Sequence, residues 1–149
     1  MPDDERFEPG ELIGTVLADG ADDWVLLLRI VNVARRTGVT DPEALRAMTL
    51  GLIGELLARD LMVPGDVGQL GFQAWPGSPG DWLRRIVETW DPSDTFPDPG
   101  SVCWFKNTDE GDRVGAPALE RARQRARRMG NKRNPLTTPE PGPEYDPPA

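Results

Sequence analysis

Residues 40–66 carry the strongest secondary-structure signal in the chain, a helical pattern that leads into a short extended segment. Asp41 is a favourable helix N-cap, and Pro42 suits the first helical position, where a missing N–H costs nothing. Apolar residues recur with helical spacing on one broad face: Leu45, Met48, Leu52, Ile53 and Leu56. The pattern predicts a helix from Pro42 to about Ala58, followed by an extended exit at residues 61–63.

The start and the far side of this helix each have two interpretations. Thr40 with Glu43 three residues later forms an alternative capping box, which would move the start by one position. A line of small residues runs almost opposite the apolar face: Ala47, Gly51, Gly54 and Ala58. Two glycines inside a helix cost about 1 kcal/mol each relative to alanine. We therefore expect a close neighbour along this line, either from the chain's own core or from a partner.

Length and composition indicate one domain without a membrane segment. At 149 residues the chain is long enough to bury a core. No run approaches the roughly 20 apolar residues of a membrane span, and the acidic first residues do not resemble a signal peptide. A single cysteine excludes an internal disulfide and favours a reducing compartment. We expect a cytoplasmic protein.

The charge of the chain is distributed very unevenly. Residues 117–133 contain seven basic side chains and one acidic one, a charge of +6. The whole chain carries −8, so the remainder carries −14. An acidic body repels phosphate backbones and favours basic partners, whereas the basic segment does the opposite.

Along the chain, turn and capping residues divide the sequence into short elements. The predicted order begins with a helix at residues 11–18, a helix from residue 22 or 23 to 36 (with a buried strand as the competing interpretation) and the helix from Pro42. Apolar segments at 61–63 and 71–75, separated by residues 64–70, are expected to pair as a small hairpin. A helix capped by Ser78, a loop at 91–100, a strand at 101–105, a turn or wing at 108–111 and a helix from Pro117 to Met129 follow. We predict a flexible acidic arm at 1–9, a folded domain at 10–116, a basic helix at 117–130 and a disordered proline-rich tail at 131–149.

The sequence offers little for catalysis. It contains no histidine, the commonest general base and metal ligand, and no C-x-x-C, phosphate-binding loop or G-x-S-x-G motif. Cys103 lies between Val102 and Trp104 in a predicted strand, where a packed, inert thiol is expected. We therefore predict a protein that is not an enzyme and has no metal site and no cofactor.

Four of the five tryptophans lie between residues 75 and 104, among many acids, whereas Trp24 is expected in the core. Aromatic anchors with a rim of one charge are typical of binding surfaces. The candidate partner-binding residues are Trp75, Trp82, Trp90, Asp91, Asp94, Asp98, Asp109 and Glu110. In the alternative interpretation, the tryptophans fill a small core and the acids are solvated turns.

The basic helix supplies a second candidate surface, for nucleic acid. Its residues are Arg121, Arg123, Arg125, Arg127, Arg128, Lys132 and Arg133. They surround most of the helix instead of lining one face, which suits an arm that contacts phosphates. A solvated terminal helix, or one packed on the chain's own acidic body, is the alternative.

The order of helix, helix with E-L-L-A-R-D-L-M, strand, and C-W-F-K-N-T-D-E-G resembles a winged helix over residues 22–115, with an insertion at 71–100. This resemblance implies an α+β, mainly helical fold with a small antiparallel sheet and an inserted Trp-rich helix. The chain is also similar to small acidic bacterial proteins suspected of neutralising toxins. That likeness is carried by a G-F-x-x-W…I-x-x-x-W…C-W-F-x-x-T-x-x-G pattern, matched by Gly71, Phe72, Trp75, Ile86, Trp90, Cys103, Trp104, Phe105, Thr108 and Gly111.

The residues depart from a DNA-binding winged helix at two places. The helix from Pro42 offers Glu43, Arg46 and Glu55 where a recognition helix offers basic or amide side chains, and the expected wing at 107–112 is acidic. We therefore expect a cytoplasmic protein-binding module, of the immunity type, that neutralises a basic toxin by occlusion. A winged-helix regulator of nucleic acid is the alternative, and a structural component of a larger assembly is a third hypothesis.

Overall fold

The computed structural model describes residues 9–98 and 101–132, with side chains for 11–98 and 101–129. The helices are α1 (Pro9–Gly20), α2 (Leu27–Ala34), α3 (Pro42–Ala58), α4 (Pro79–Thr89) and α5 (Asp109–Lys132). The strands are β1 (Val25–Leu26), β2 (Met62–Gly68), β3 (Gly71–Ala74) and β4 (Trp104–Asn107). The predicted class is confirmed: the fold is α+β and mainly helical, with a small antiparallel sheet and a helix inserted before its last strand.

The sheet has the order β1-β4-β2-β3, and every neighbouring pair is antiparallel. The last strand of the chain therefore lies between β1 and β2, with Phe105 opposite Val25 on one side and Pro64 on the other. α2 and α3 connect β1 to β2, and α4 connects β3 to β4. This arrangement places β1 and β4, which are far apart in the sequence, next to each other in the sheet.

The apolar core combines α1, α2 and α3 with the inner side of the sheet. Among its fully buried side chains are Leu12, Leu17, Ile30, Ile53, Leu56, Leu61, Met62, Ile86, Trp90 and Phe105. The buried Thr49 is satisfied within its own helix, since its hydroxyl donates to the Leu45 carbonyl at 2.8 Å. The core therefore consists almost entirely of apolar side chains.

The predicted helix at residues 42–58 is confirmed as α3. The Asp41 carboxylate accepts a hydrogen bond from the Ala44 backbone N–H at 2.9 Å, so Asp41 is the cap. Along most of the line of small residues the chain's own core supplies no close neighbour, and a partner at this line stays a prediction. A Cβ added to Gly51 would meet nothing within 4 Å, and one on Gly54 would make an ordinary contact of 3.6 Å with Leu83.

The predicted helix over residues 22–36 begins later than expected. Val25 and Leu26 pair with Phe105 and Trp104 as β1, and α2 starts only at Leu27. A strand partner that is distant in sequence therefore overrides helical periodicity here. The end is as predicted, because Gly38 adopts a left-handed conformation with φ 94° after a short 3₁₀ turn.

The predicted hairpin between residues 61–63 and 71–75 forms, but its first strand extends into the segment that was expected to separate the two strands. Residues 64–66 are inside β2, and the reversal falls between Gly68 and Gly71, where Gly71 has φ 89°. The strand predicted at 101–105 is also shifted, since β4 spans Trp104–Asn107.

The predicted wing at residues 108–111 is wrong, because these residues open α5. The Thr108 hydroxyl accepts from the Gly111 backbone N–H at 3.0 Å, which is an N-cap bond, and the acids of the first turn favour a helix start. The helix predicted to begin at Pro117 therefore begins at Asp109, with the proline inside it. A Cβ on Gly111 would lie 2.0 Å from the Leu61 carbonyl oxygen, so the helix passes directly over that backbone.

The chain divides into two compact units, Met1–Leu119 and Glu120–Ala149. The acidic arm predicted at 1–9 and the tail predicted at 131–149 lie, except for Pro9, Asn131 and Lys132, outside the described residues. Across residues 9–98 and 101–132, no helix is both long and apolar enough to cross a bilayer.

Candidate functional site

Trp75 and Trp90, predicted as partner-binding anchors, are core residues. They are 4% and 1% exposed. The Arg85 guanidinium stacks 3.7 Å from the centroid of the Trp75 ring, and Arg46 lies 4.6 Å from that of Trp90. The Trp90 indole N–H donates to the Asp94 carbonyl at 2.8 Å. Neither ring presents a surface to a partner, so their assignment as anchors is corrected to a structural role.

Trp82 is partly exposed on α4, and its indole N–H donates to the Pro76 carbonyl at 3.0 Å. Its helix begins with the predicted capping box of Ser78 and Asp81 and packs along α3. One Arg46 guanidinium N–H donates to the Val87 carbonyl at 3.2 Å, and Leu83 approaches Gly54. The inserted helix therefore covers part of α3.

The acidic loop after α4 is held by its own hydrogen bonds. The Asp91 carboxylate accepts from the Ser93 backbone N–H at 2.9 Å and from its hydroxyl at 2.8 Å. These bonds lower the pKa of Asp91. The carboxylates of Asp91, Asp94 and Asp98 are all exposed. The loop thus presents negative charge to solvent, with the Asp91 carboxylate held in place by Ser93.

Asp109 and Glu110, the remaining predicted acids, lie on a separate element. Both are exposed in the first turn of α5. Glu110 accepts two hydrogen bonds from the Arg113 guanidinium, and that pairing lowers the pKa of the Glu110 carboxyl. The acids predicted as one binding surface are therefore distributed over the loop and the start of this helix.

A cluster of aromatic rings that the sequence did not predict lies on the outer side of the sheet. Trp24, expected in the core, is partly exposed there, with its ring centroid 5.9 Å from that of Phe72 and 6.5 Å from that of Trp104. We call Trp24, Phe72 and Trp104 the aromatic face. It combines residues from β3, from β4 and from the segment just before β1.

Strand alternation explains how the aromatic face forms. Along β4, Phe105 and Asn107 point inward and are buried, so Trp104 and Lys106 point outward. Gly65 lies directly opposite Trp104, and a Cβ there would come within 2.7 Å of the Phe72 ring. A bare glycine is therefore what allows Phe72 to lie across the sheet.

The alternation in the segment C-W-F-K-N was visible in the sequence. The contribution of Trp24 was not, because its place depends on the pairing of Val25 with Phe105.

A pocket of about 330 Å³ adjoins the aromatic face. It is lined by Gly20, Ala21, Asp22, Asp23, Trp24, Lys106, Asn107 and Asp112. The Asp23 carboxylate accepts from the Trp24 backbone N–H at 2.8 Å, and that of Asp112 accepts from the Asn107 amide at 2.9 Å. Three carboxylates and one ammonium group thus share this lining, which gives it net negative charge.

Asn107 anchors the base of this pocket. It is 9% exposed, and its amide N–H groups donate to the Leu17 carbonyl and to Asp112, both at 2.9 Å. Its Oδ1 atom lies against Gly20, where an added Cβ would come within 2.2 Å of it. Because both partners of the amide nitrogen are oxygens, the orientation of the amide is fixed. The C-terminal part of α1 is therefore held close to the end of β4.

Cys103 is the single cysteine of the chain, and its side chain is 1% exposed. Burial, with a smaller contribution from the charge of Asp66, raises the pKa of the thiol to about 12. The reactive thiolate form is thereby suppressed at neutral pH. In the described residues no group of three or more acids or cysteines is placed to hold a metal ion.

The basic segment belongs to the second unit. Every described arginine of residues 120–129 is exposed: Arg121, Arg123, Arg125, Arg127 and Arg128. Glu120 accepts from Gln124 at 3.3 Å and from Arg127 at 3.5 Å. The side chain of Lys132 and all of Arg133 lie outside the described residues.

No protein-family model matches this chain, and neither a curated protein nor a solved structure is significantly similar to it. Because the fold alone does not specify an activity, function has to be argued from the surfaces described above.

Proposed function

We propose that this chain is a non-catalytic, cytoplasmic protein-binding module of the immunity type, which neutralises a basic protein toxin by covering it. The supporting observation is the charge outside residues 117–133, which is −14, together with the exposure of Asp91, Asp94, Asp98 and Asp109. A surface of this kind attracts a basic partner over several ångströms. A buried, unreactive Cys103 fits a reducing compartment.

The mechanism is electrostatic steering followed by steric occlusion. The loop that begins at Asp91 is braced by the Ser93 hydrogen bonds and by the indole bond of Trp90 to Asp94. The Asp91 carboxylate loses little conformational freedom when a cationic partner arrives, because it is already positioned. In this account Trp75 and Trp90 support the surface from within, and the loop acids raise the association rate.

The surface of α3 supports this proposal over base recognition. Its exposed positions include Glu43, Ala47, Gly51 and Glu55, none of which is a basic or amide side chain suited to a base edge. α4 packs beside it through Leu83. We also propose that the fold is related to the winged helix, since α3 leads into β2 and β4 returns beside it.

A second candidate function, a nucleic-acid-binding regulator, is favoured by one observation. The arginines of residues 121–128 are exposed around the helix, as expected of a segment that contacts phosphates. Removal of residues 120–149 would then abolish retention on a DNA column at low salt. Full-length protein that is not retained under those conditions would exclude this function.

The proposed function is tested by capture of a partner on the immobilised full-length chain. A native-cell extract should yield a basic protein whose association slows about tenfold as salt rises from about 50 to 300 mM. Co-expression with the captured protein should relieve its toxicity.

Charge reversal of the loop in one triple variant (D91K, D94K and D98K) should slow association with the partner. A control triple variant (E43K, E55K and E88K) changes the net charge by the same amount elsewhere and should slow association less. A partner that is not basic, or an association rate that does not respond to salt, would overturn the proposal.

A further inference from the structure

The aromatic face differs from three other aromatic rings of the chain, those of Trp75, Trp90 and Phe96, each of which is covered by an arginine. Elsewhere, arginines of the same chain lie over aromatic rings: Arg85 over Trp75 at 3.7 Å, Arg46 over Trp90 at 4.6 Å and Arg35 over Phe96 at 5.1 Å. Within the described residues, no cation lies over Trp24 or Trp104. The Lys106 ammonium is 6.0 Å from the Phe72 centroid, at the limit of a cation–π contact.

The acids around Trp24 complement a cation. Trp24 forms one wall of the pocket that Asp23 and Asp112 also line. Hydrogen bonds from the Trp24 backbone N–H and from the Asn107 amide hold these two carboxylates in place, while their charge stays at the pocket. A cationic side chain that enters would therefore meet an aromatic ring and preoriented carboxylates together.

We infer that the aromatic face and its pocket bind an arginine side chain of the basic partner, an inference that rests on the proposed function. A guanidinium group is planar, stacks on indole rings and donates two parallel hydrogen bonds to a carboxylate. It can stack on Trp24 and donate to Asp23 or Asp112 at once. A lysine ammonium is compact and strongly hydrated, so it gains less from the ring. The site therefore prefers arginine to lysine.

Bases of single-stranded nucleic acid also stack on aromatic rings of a sheet, but the charges here oppose them. A phosphate beside the rings would meet the carboxylates of Asp23 and Asp112, and among the described residues of the pocket lining Lys106 alone is cationic. The arginine of a protein is the occupant that both the rings and the charges favour.

The experiment compares fluorescently labelled hexa-arginine, hexa-lysine and a ten-nucleotide oligothymidine by anisotropy, using the full chain at about 50 mM salt. Four variants are measured with the wild type: W24L, which removes the ring; W24F, which keeps one; D23N, which removes charge but keeps the acceptor of the Trp24 N–H; and D91N/D94N/D98N, which neutralises the loop. Circular dichroism melts establish that each variant is folded.

The wild type should bind hexa-arginine about threefold more tightly than hexa-lysine, as expected for one exposed cation–π contact. W24L should lose this preference, whereas W24F and the loop variant should keep it. D23N should weaken the binding of both peptides, and that of hexa-arginine more than that of hexa-lysine. This result tests the inference even if W24L fails to fold.

Equal binding of the two peptides, or a preference that survives in W24L, would overturn the inference. If both peptides then bind in a salt-dependent manner, the proposed function still stands. Binding of neither peptide would contradict the proposed function itself. If the oligothymidine binds more tightly than the peptides and W24L loses that binding, the aromatic face is assigned to nucleic acid.

Discussion

Trp24 and Trp104 meet edge to face, with their ring centroids 6.5 Å apart and their planes at 84°. Such a pair contributes about 0.5–1.5 kcal/mol beyond the area that it buries. The contact joins the segment before β1 to β4, next to the pairing of Leu26 with Trp104. It positions the Trp24 ring at the edge of an acidic pocket instead of in the core.

Thr108 joins three elements, and its loss should destabilise the fold. Its hydroxyl donates to the Asp60 carbonyl at 2.6 Å and accepts from the Gly111 N–H at 3.0 Å. T108V keeps the shape and removes both bonds, so chemical denaturation should show a loss of about 1–2 kcal/mol. T15V, which removes an exposed bond within α1, is the control and should cost less than about 0.5 kcal/mol. Equal losses in the two variants would contradict this role of Thr108.

Two glycines should respond to alanine with opposite signs. A Cβ on Gly111 would lie 2.0 Å from the Leu61 carbonyl oxygen, a backbone atom that cannot easily move. G111A should therefore lose about 3 kcal/mol or more of unfolding free energy. G51A should gain about 0.5–1 kcal/mol, because the position is an open helix interior. If G111A is as stable as the wild type, the packing of α5 over Leu61 is wrong.

The Cys103 thiol should react only when the protein unfolds. Burial holds its pKa at about 12, so the thiolate is scarce at pH 8 in the folded protein. Labelling by a thiol-specific disulfide reagent should be slow in buffer and rapid in denaturant.

Because the pKa of Cys103 is raised by folding, its contribution to stability is complete below the pKa of the unfolded thiol. That contribution is lost as pH rises toward 12. Rapid labelling of the native protein at pH 8 would contradict this burial.

The cap of α4 should make stability depend on acid pH. Hydrogen bonds from Ser78, chiefly from its backbone N–H, lower the pKa of Asp81. The contribution of this carboxylate is therefore present above its ordinary pKa and lost as pH falls through the lowered value. D81N should be less stable than the wild type at pH 7, and the difference should shrink as pH falls below the ordinary carboxyl pKa.

The control for the α4 cap is D94N, because the Asp94 side chain accepts no hydrogen bond within the described residues. A D81N deficit that is unchanged between pH 7 and pH 3 would argue against the cap.

Local signals predicted part of this fold well. Asp41 accepts from the Ala44 N–H and Ser78 from the Asp81 N–H, and both bonds span three residues. Local sequence therefore specified the start of α4 and left that of α3 open by one position. The start of α5 was missed because Thr108 resembled a turn residue and Pro117 resembled a first helical position. The cap bond itself is local, between Thr108 and Gly111, whereas the bond from the same hydroxyl to the distant Asp60 carbonyl depends on the fold.

The candidate site depended more on long-range contacts, and prediction of it was poorer. The burial of Trp75 and Trp90 results from the packing of α4, and the exposure of Trp24 results from β1. Most residues of the G-F-x-x-W…I-x-x-x-W…C-W-F-x-x-T-x-x-G pattern have structural roles here. Gly71 forms a turn, Thr108 caps α5, Gly111 packs on Leu61, and five others are buried: Trp75, Ile86, Trp90, Cys103 and Phe105. Phe72 and Trp104 remain for the aromatic face.

The most direct test of the binding account follows the five tryptophan indole N–H signals of ¹⁵N-labelled protein during titration with hexa-arginine. Single Trp→Phe variants assign the signals. The account predicts that the signals of Trp24 and Trp104 move first, while that of Trp90, whose N–H is bonded to the Asp94 carbonyl, stays in place. Shifts confined to Trp82, or equal small shifts at all five tryptophans, would contradict it.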